Sequence, residues 1–499
     1  MMMRGLGLVG LIALTFVILA QVARVPPSQS GAKHNVILFV GDGLGPTQMT
    51  LGIRYARVVE GRRLHMESLM EAGNTGYTLP FSYEALVIDS AAAATQMATG
   101  QLARNETLGL DADGRDTESI VEWFESRGGA TGLVTNMAIT HATPAAFATH
   151  QLSRYDPEHF LADQMLRKPE MDVLLGGGAR AFVARGHRTS ESLRGIPPAL
   201  DGESARTDER DLLEEARAGG YTIASDRASL ADGAATATKL LGLFAAGNLP
   251  YVVDKRHDRL TGIPSLSELT QAALQVLARH ENGFFLMVEG GRIDYAGHDN
   301  DAGSLLQEIL DFDEAVGVGA RFRMENPDTL LLVTADHATG GFSFTYSAPR
   351  EPREWPLPSG ELYRPTHYYA GGAELRLLGR QTRSFDSIVK SSGTDPEKLR
   401  KDVESATGLE LTLDEARRVI SWNEGASSTD PHLALFENRT EALLARALTP
   451  QTSVVWSTGG HTTDPVLTFG IGPGAEDLRG VYVNTHLYGV MKRSLEGAE

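Results

Sequence analysis

Side chains able to ligate a metal recur directly after apolar runs in this sequence. Asp42 stands between two glycines behind the run that opens at Asn35, and Glu289, Asp294 and His298 lie close together just past another. Asp336 and His337 are adjacent at the end of a third, and His461 follows Gly459 and Gly460 near the C-terminus. Carboxylates mixed with imidazoles favour Zn2+, and sites built only of oxygen favour Mg2+. Any one of these residues has a plainer use, the Gly-flanked Asp as a turn residue and a strand-end His as a hydrogen-bonded structural group. Together they argue for metal, because so many carboxylates at one edge would repel one another unless cations sat between them.

Ser90 offers a nucleophile. The apolar stretch Ala85–Ile88 meets Asp89–Ser90, and the alanines that follow are strong helix formers. Ser90 is therefore expected to begin a helix, where backbone N–H groups favour an anion. The competing use for a serine there is capping. It has no G-x-S-x-G context and no neighbouring histidine, so a metal would have to lower its pKa. Farther on, THATPAAFATHQLSR places the Thr143 hydroxyl at an expected strand-to-loop junction and Arg154 four residues after His150. Arg is the side chain best shaped for two-point contact with phosphate or sulfate.

The elements that must position these groups are legible in the same stretches. His34–Pro46, Ala130–Asn136, Gly283–Asp294 and Asp328–His337 are apolar, β-branched runs that end in polar residues. Such runs alternating with helical stretches predict an α/β fold: a large, mainly parallel central sheet with helices on both faces. Ligands bind such sheets outside the carboxyl ends of the strands, where the polar residues cluster. Between Gly341 and Val454 the pattern changes, and residues 346–450 read as an insertion of cap or crown type. Its start is rich in Pro and Gly. It then predicts one helix from Thr394 or Asp395, with Glu397 completing a capping box and Gly408 ending it, and a second from Thr412 with Glu415.

Composition narrows the function. No Cys is present, which excludes disulfides, thiolate nucleophiles, zinc fingers and a bacterial lipoprotein anchor. The formal charge of −18 speaks against nucleic acid as a specific partner. Met1–Arg4 is a short basic start, Gly5–Ala20 is apolar and Gln21–Ala32 turns polar, so residues 1–30 read as a secretory signal or an uncleaved N-terminal anchor. The protein is expected to be exported, to the periplasm or beyond, with a membrane tether if the segment is kept. Asn105 and Asn438 fit the glycosylation sequon, a pattern common by chance.

VGDG, DSAAAATQ, HATPAA followed by Arg, LLGGG, MVEGGRIDYAGH, TADHATGGF and STGGHTTDP occur in that order. In this the sequence resembles the alkaline phosphatase family, from about Asn35 to Pro473. The resemblance implies one catalytic domain over residues 35–493, two Zn2+ and one Mg2+, and hydrolysis of small-molecule phosphate monoesters through a phosphoserine at alkaline pH. Position by position it makes Ser90 the nucleophile and Arg154 the phosphate clamp. Asp294, His298 and His461 become ligands of the first zinc. Asp42, Asp336 and His337 become ligands of the second, and Asp42, Thr143 and Glu289 ligands of magnesium. Family members are often homodimers.

Two positions depart from the best-studied bacterial members: His141 stands where they carry Asp, as in the vertebrate enzymes, and Tyr295 where they carry Lys. Both neighbour the phosphate site and leave the third metal's identity open. His141 is expected to hydrogen-bond beside a ligand rather than to ligate. A phosphodiesterase of the wider superfamily and a non-catalytic exported metal- or phosphate-binding protein are the rival readings. The absence of Cys, together with Thr143, Glu289 and Arg154, favours monoesters, and a passive binder has no need of an activatable Ser90.

Overall fold

The apolar runs lie side by side in the middle of a ten-stranded sheet. The computed structural model describes residues 34–167, 170–347, 354–421, 434–436 and 439–497; the N-terminal segment and Asn438 fall outside them. The strands in chain order are β1 (Asn35–Val40), β2 (Asn74–Leu79), β3 (Ala130–Ala138), β4 (Val173–Gly177), β5 (Tyr221–Ala224), β6 (Lys239–Leu243), β7 (Phe284–Glu289) and β8 (Thr329–Thr334), followed by Val466–Ile471 and Gly480–Val483. Across the sheet the order is Gly480–Val483, β2, Val466–Ile471, β8, β1, β7, β3, β4, β6, β5. Every pairing is parallel except those of Val466–Ile471 with β2 and β8.

Register explains how distant parts of the sequence meet. Val40 pairs with Glu289 on one side and with Thr334 on the other, and Thr135 of β3 also pairs with Glu289. The carboxyl ends of β8, β1 and β7 are therefore level: Glu289 closes β7 opposite Val40, and Asp42 and Asp336 each follow two residues beyond the matched ends Val40 and Thr334.

Every residue of β1, β3, β7 and β8 is buried, as a sheet covered on both faces requires. Alternate residues feed two separate cores: Ile37 and Phe39 join one, and Val36, Leu38 and Val40 the other. The first core takes Leu305, Leu306, Ile309 and Phe312 from the 24-residue helix Ala302–Glu325. The second takes residues of the helices Ser90–Thr99, Ala142–Ala148 and Thr485–Glu496. Each such Leu, Ile or Phe contributes about 1.5–3 kcal/mol on burial. The strand ends are thus rigidly held before any ligand side chain is considered.

Residues 346–450 carry more helix than their sequence predicts. Besides Pro396–Thr407 and Leu413–Ser421, the described residues include helices Gly372–Gly379, Phe385–Ser392 and Arg439–Thr452. Phe385, Ile388, Leu399, Val403, Val419, Leu444 and Leu448 close a core of their own there. The extra helices were hidden because two of them have only eight residues and the third runs through Pro450. At the first predicted helix, Asp395 accepts hydrogen bonds from the N–H groups of Glu397 and Lys398 (2.9 and 3.1 Å), and the Glu397 carboxylate turns to Arg400 instead of completing a box. Gly408 ends that helix at φ 71°. Thr412 and Glu415 form the reciprocal cap that their spacing predicts.

Candidate active site and metal centre

Beyond the level strand ends the ligand-type side chains assemble into three groups, each with its ligand atoms within 4.8 Å of one another: Asp294, His298 and His461; Asp42, Asp336 and His337; Asp42, His141 and Glu289. The sequence-derived ligand residues therefore meet. A further group, His65, Asp313 and Glu314, has a structural use, since Asp313 accepts the backbone N–H groups of His65 and Met66.

Asp294 and His298 share a face of the helix Arg292–His298, one turn apart. His461 is delivered by the short ladder His461–Thr462 against Ala338–Thr339. His298 Nε2 lies 3.1 Å from Asp294 Oδ2, and His461 Nε2 lies 3.3 Å from His298 Nε2. His298 Nδ1 is 2.5 Å from the Gly459 carbonyl and His461 Nδ1 2.8 Å from that of Ile88. A carbonyl only accepts, so in the neutral rings both protons sit on Nδ1 and two Nε2 lone pairs face one carboxylate. Such convergence of electron pairs suits a cation of the zinc type.

The second group is fully buried. His337 Nε2 lies 3.1 Å from Asp336 Oδ2 and 3.7 Å from Asp42 Oδ1. Asp336 Oδ1 accepts the N–H groups of Gly43 and His337 at 3.0 and 2.8 Å. Both oxygens of Asp42 and Oδ2 of Asp336 have no hydrogen-bond partner among the described residues. Unpartnered buried carboxylate oxygens are costly unless an ion completes them, so this donor set fits a divalent cation. Thr339 links the two groups, its hydroxyl donating to Asp294 and lying 3.3 Å from His337 Nδ1.

The third group brings His141 to Asp42 and Glu289 and corrects one expectation, the placement of Thr143. His141 Nε2 accepts from Arg154 Nη2 at 3.4 Å, its buried Nδ1 has no hydrogen-bond partner among the described residues, and the ring groups with Asp42 and Glu289. Thr143 stands not at a strand-to-loop junction but in the first turn of helix Ala142–Ala148, with His141 as the residue before it. Its hydroxyl lies beside Glu289 without reaching hydrogen-bond geometry. Thr135 holds the other oxygen of Glu289.

Burial and mutual charge dominate the titration of the metal-free cluster. Burial, with Asp336 and Asp294 nearby, pushes Asp42 well above the carboxylate range. Burial and then the Asp336 charge carry Glu289 up to about 7, and burial and then Asp294 carry Asp336 up to about 6. Burial also acts on Asp294, but His298 and His461 overcome it and draw the group well below the usual range. Burial and the neighbouring His461 keep His337 neutral, and burial and Arg154 push His141 down to about 3.

Ser90 opens the helix Ser90–Thr99, but the capping duty belongs to Asp89, whose Oδ1 accepts from Ala92 N at 3.0 Å. The Ser90 hydroxyl is left for other use, 3.3 Å from His337 Nε2. Asp89 Oδ2 also holds Arg154 Nη1 at 3.0 Å. Burial works against the arginine's charge, and Asp89 more than offsets it. Glu106 completes the brace, its N–H donating to Asp89 and its carbonyl accepting from Arg154 N. Asp89 escaped the sequence reading, although an acidic residue directly before a helix-starting Ser is the signal that could have revealed it. Asn105 is committed too, donating to the Val87 carbonyl and accepting from Asp89 N, a structural use for that sequon.

These groups line a cavity of about 500 Å³ whose floor includes Ser90, Arg154, His141, Asp294, His298 and His461. Fold and site define a class: an α/β protein whose sheet carries, at its carboxyl edge, a cluster of carboxylates and imidazoles built for divalent cations around a serine and an arginine. The family model for alkaline phosphatase matches residues 33–496, and the chain belongs to the alkaline phosphatase family. It is accordingly a phosphoric monoester hydrolase of a metal-dependent family. It is 31% identical to alkaline phosphatase 3 of Bacillus subtilis over 459 residues, 91% of this chain and 87% of that one. It is 33% identical to the tissue-nonspecific alkaline phosphatase of Gallus gallus over 72% of this chain and 75% of that one. The crystal structure of Thermus thermophilus alkaline phosphatase superposes with a TM-score of 0.80 at 32% identity, covering 94% of this chain and 92% of that one.

Proposed function

We propose that Ser90 is the nucleophile of a two-step phosphate monoester hydrolysis, run at alkaline pH on two Zn2+ and one Mg2+. The Ser90 hydroxyl carries this reading: relieved of capping by Asp89, it lies 3.3 Å from His337 Nε2, beside carboxylate oxygens without partners. Asp294, His298 and His461 would hold one zinc, Asp42, Asp336 and His337 the other, and Asp42, Glu289, Thr143 and His141 the third ion. Bound cations supply positive charge at the entering and leaving oxygens and lower the pKa of serine and water.

The chain's own groups then have defined tasks. Arg154, braced by Asp89, takes two non-bridging phosphoryl oxygens and stabilises the charge that spreads over them in the transition state. Ser90 Oγ attacks phosphorus, the P–O bond to the alcohol breaks, and the alcohol departs with a proton. Water then cleaves the Ser90 phosphoester, releasing inorganic phosphate and restoring the hydroxyl. Export is part of the same reading, supported by the leader-like residues 1–30.

Ser90→Ala in the metal-loaded protein tests it. Turnover of p-nitrophenyl phosphate is expected to vanish while bound zinc and magnesium stay at wild-type stoichiometry. Substantial turnover with Ala at this position would overturn the covalent route. A metal-loaded wild type without turnover would favour a binding protein instead.

A further inference from the structure

The catalytic cavity has a second zone that the phosphoryl chemistry does not use. Every charged or imidazole side chain lining it belongs to the floor described above or to the Asp89 brace. The remaining lining side chains, besides Ser90, are neutral and mostly apolar: Val87, Ile88, Asn105, Tyr155 and Tyr295. Tyr155 is 73% exposed and Val87 40% exposed, so both present apolar surface toward solvent at the mouth. Large apolar side chains kept exposed beside a reaction centre mark a place where a ligand is covered.

Geometry selects what reaches this wall. Tyr155 follows Arg154 directly, and the guanidinium carbon lies 5.8 Å from the tyrosine ring centroid, so the ring stands beside the group that would clamp the phosphoryl oxygens. Tyr295 lines the same cavity, with its ring edge-on to those of His141 and His298, centroids at 6.0 and 6.5 Å. Arg292 steadies Tyr295 from behind, its guanidinium 5.5 Å from that ring and 4.6 Å from Tyr251. The Arg292 Nε donates to the Leu249 carbonyl at 2.6 Å.

From this, and resting on the proposed function, we infer that Val87, Tyr155 and Tyr295 form a subsite for an aromatic or heteroaromatic alcohol portion of the monoester. Among the described residues the wall adds no cationic side chain beyond Arg154 to hold a second phosphate or carboxylate, so leaving groups that are planar and uncharged are favoured over small charged ones. Offset or edge-on contact of one ring with another contributes roughly three- to tenfold in affinity.

Phosphonates separate this from leaving-group reactivity, because their P–C bond is not cleaved. Calorimetric titration of the zinc- and magnesium-loaded protein with phenylphosphonate and methylphosphonate is expected to show the phenyl compound bound roughly tenfold more tightly. In Tyr155→Ala the ratio falls toward one, and in Tyr155→Phe it stays. Tyr369→Ala, at another exposed tyrosine outside the cavity, behaves as wild type. Equal binding of the two phosphonates by wild type, or an unchanged ratio in Tyr155→Ala, overturns the subsite. The ratio is read from binding, so it decides the subsite even if phenyl phosphate is not turned over, a result that would count against the Ser90 chemistry alone.

Discussion

Asp294, His298 and His461 set two imidazoles against one carboxylate, and all three side chains keep some contact with the cavity, from 5% to 14% exposed. Asp42, Asp336 and His337 invert that composition, two carboxylates to one imidazole, with no exposure at all. The inversion shows in their charges: Asp294 is held well below the carboxylate range, whereas Asp42 and Asp336 are driven above it. The two groups stand back to back, the rings of His337 and His461 stacked with centroids 3.5 Å apart. Depth separates their work. The deep group faces Ser90, and its two carboxylates carry the anionic charge that a cation shut off from solvent would require. The shallower group faces the cavity, where substrate and water arrive.

This contrast is open to breaking at several points. The largest effect is expected from Asp42→Ala, because Asp42 alone belongs to two of the groups. It should release more than one metal per chain, measured by elemental analysis, and lower kcat/KM by roughly a thousandfold or more. His461→Ala should release metal from the shallower group only, and equal metal loss in the two variants would erase the distinction. Thr339→Val removes the hydroxyl shared by Asp294 and His337. Its expected cost is roughly 10- to 100-fold in metal affinity, read by competition with a chelator.

Metal removal tests the charges themselves. In the metal-free chain Asp336, at about 6, and Glu289, at about 7, bind a proton more tightly folded than unfolded. Stability is therefore full below the ordinary carboxylate range and declines as pH rises through about 6 and 7. The Tm lost on chelation should be larger at pH 8.5 than at pH 5.5, and equal losses would refute the assignment. The smallest effect concerns a carboxylate outside the cluster. Burial pushes Glu125 to about 7, with Asp172 adding to it and the Thr131 hydroxyl and Lys239 opposing. Glu125→Gln should raise Tm by roughly a few degrees at pH 8.5 and by little at pH 4.5, with or without chelator.

Much of the site was legible because its residues are of uncommon type at strand ends. Asp42, Glu289 and Asp336 were readable from an apolar run stopping at an acid, and Ser90 and Arg154 from their local context. The role of Asp89 was not, since capping Ala92 and bracing Arg154 at once requires Arg154 to fold back across 65 residues. His141 was expected beside a ligand. It accepts from Arg154, and only the tertiary structure also sets its ring against Asp42 and Glu289. In the fold, the central strands and the two capped helices of the insertion were readable from periodicity and caps, while its short helices were not.

By itself the sequence determined which chemistries were open: no thiol, carboxylates and imidazoles enough for several cations, a hydroxyl at a helix start, and apolar strands that must be buried on both faces. Tertiary structure decided which ligands share an ion, which carboxylates lie deep enough to be driven toward protonation, and which apolar side chains are left exposed at the mouth. The reason is that pairing register and burial are properties of strands brought together from distant sequence. A shift of one residue between β1 and its neighbours would take Asp42 out of register with Glu289 and Asp336.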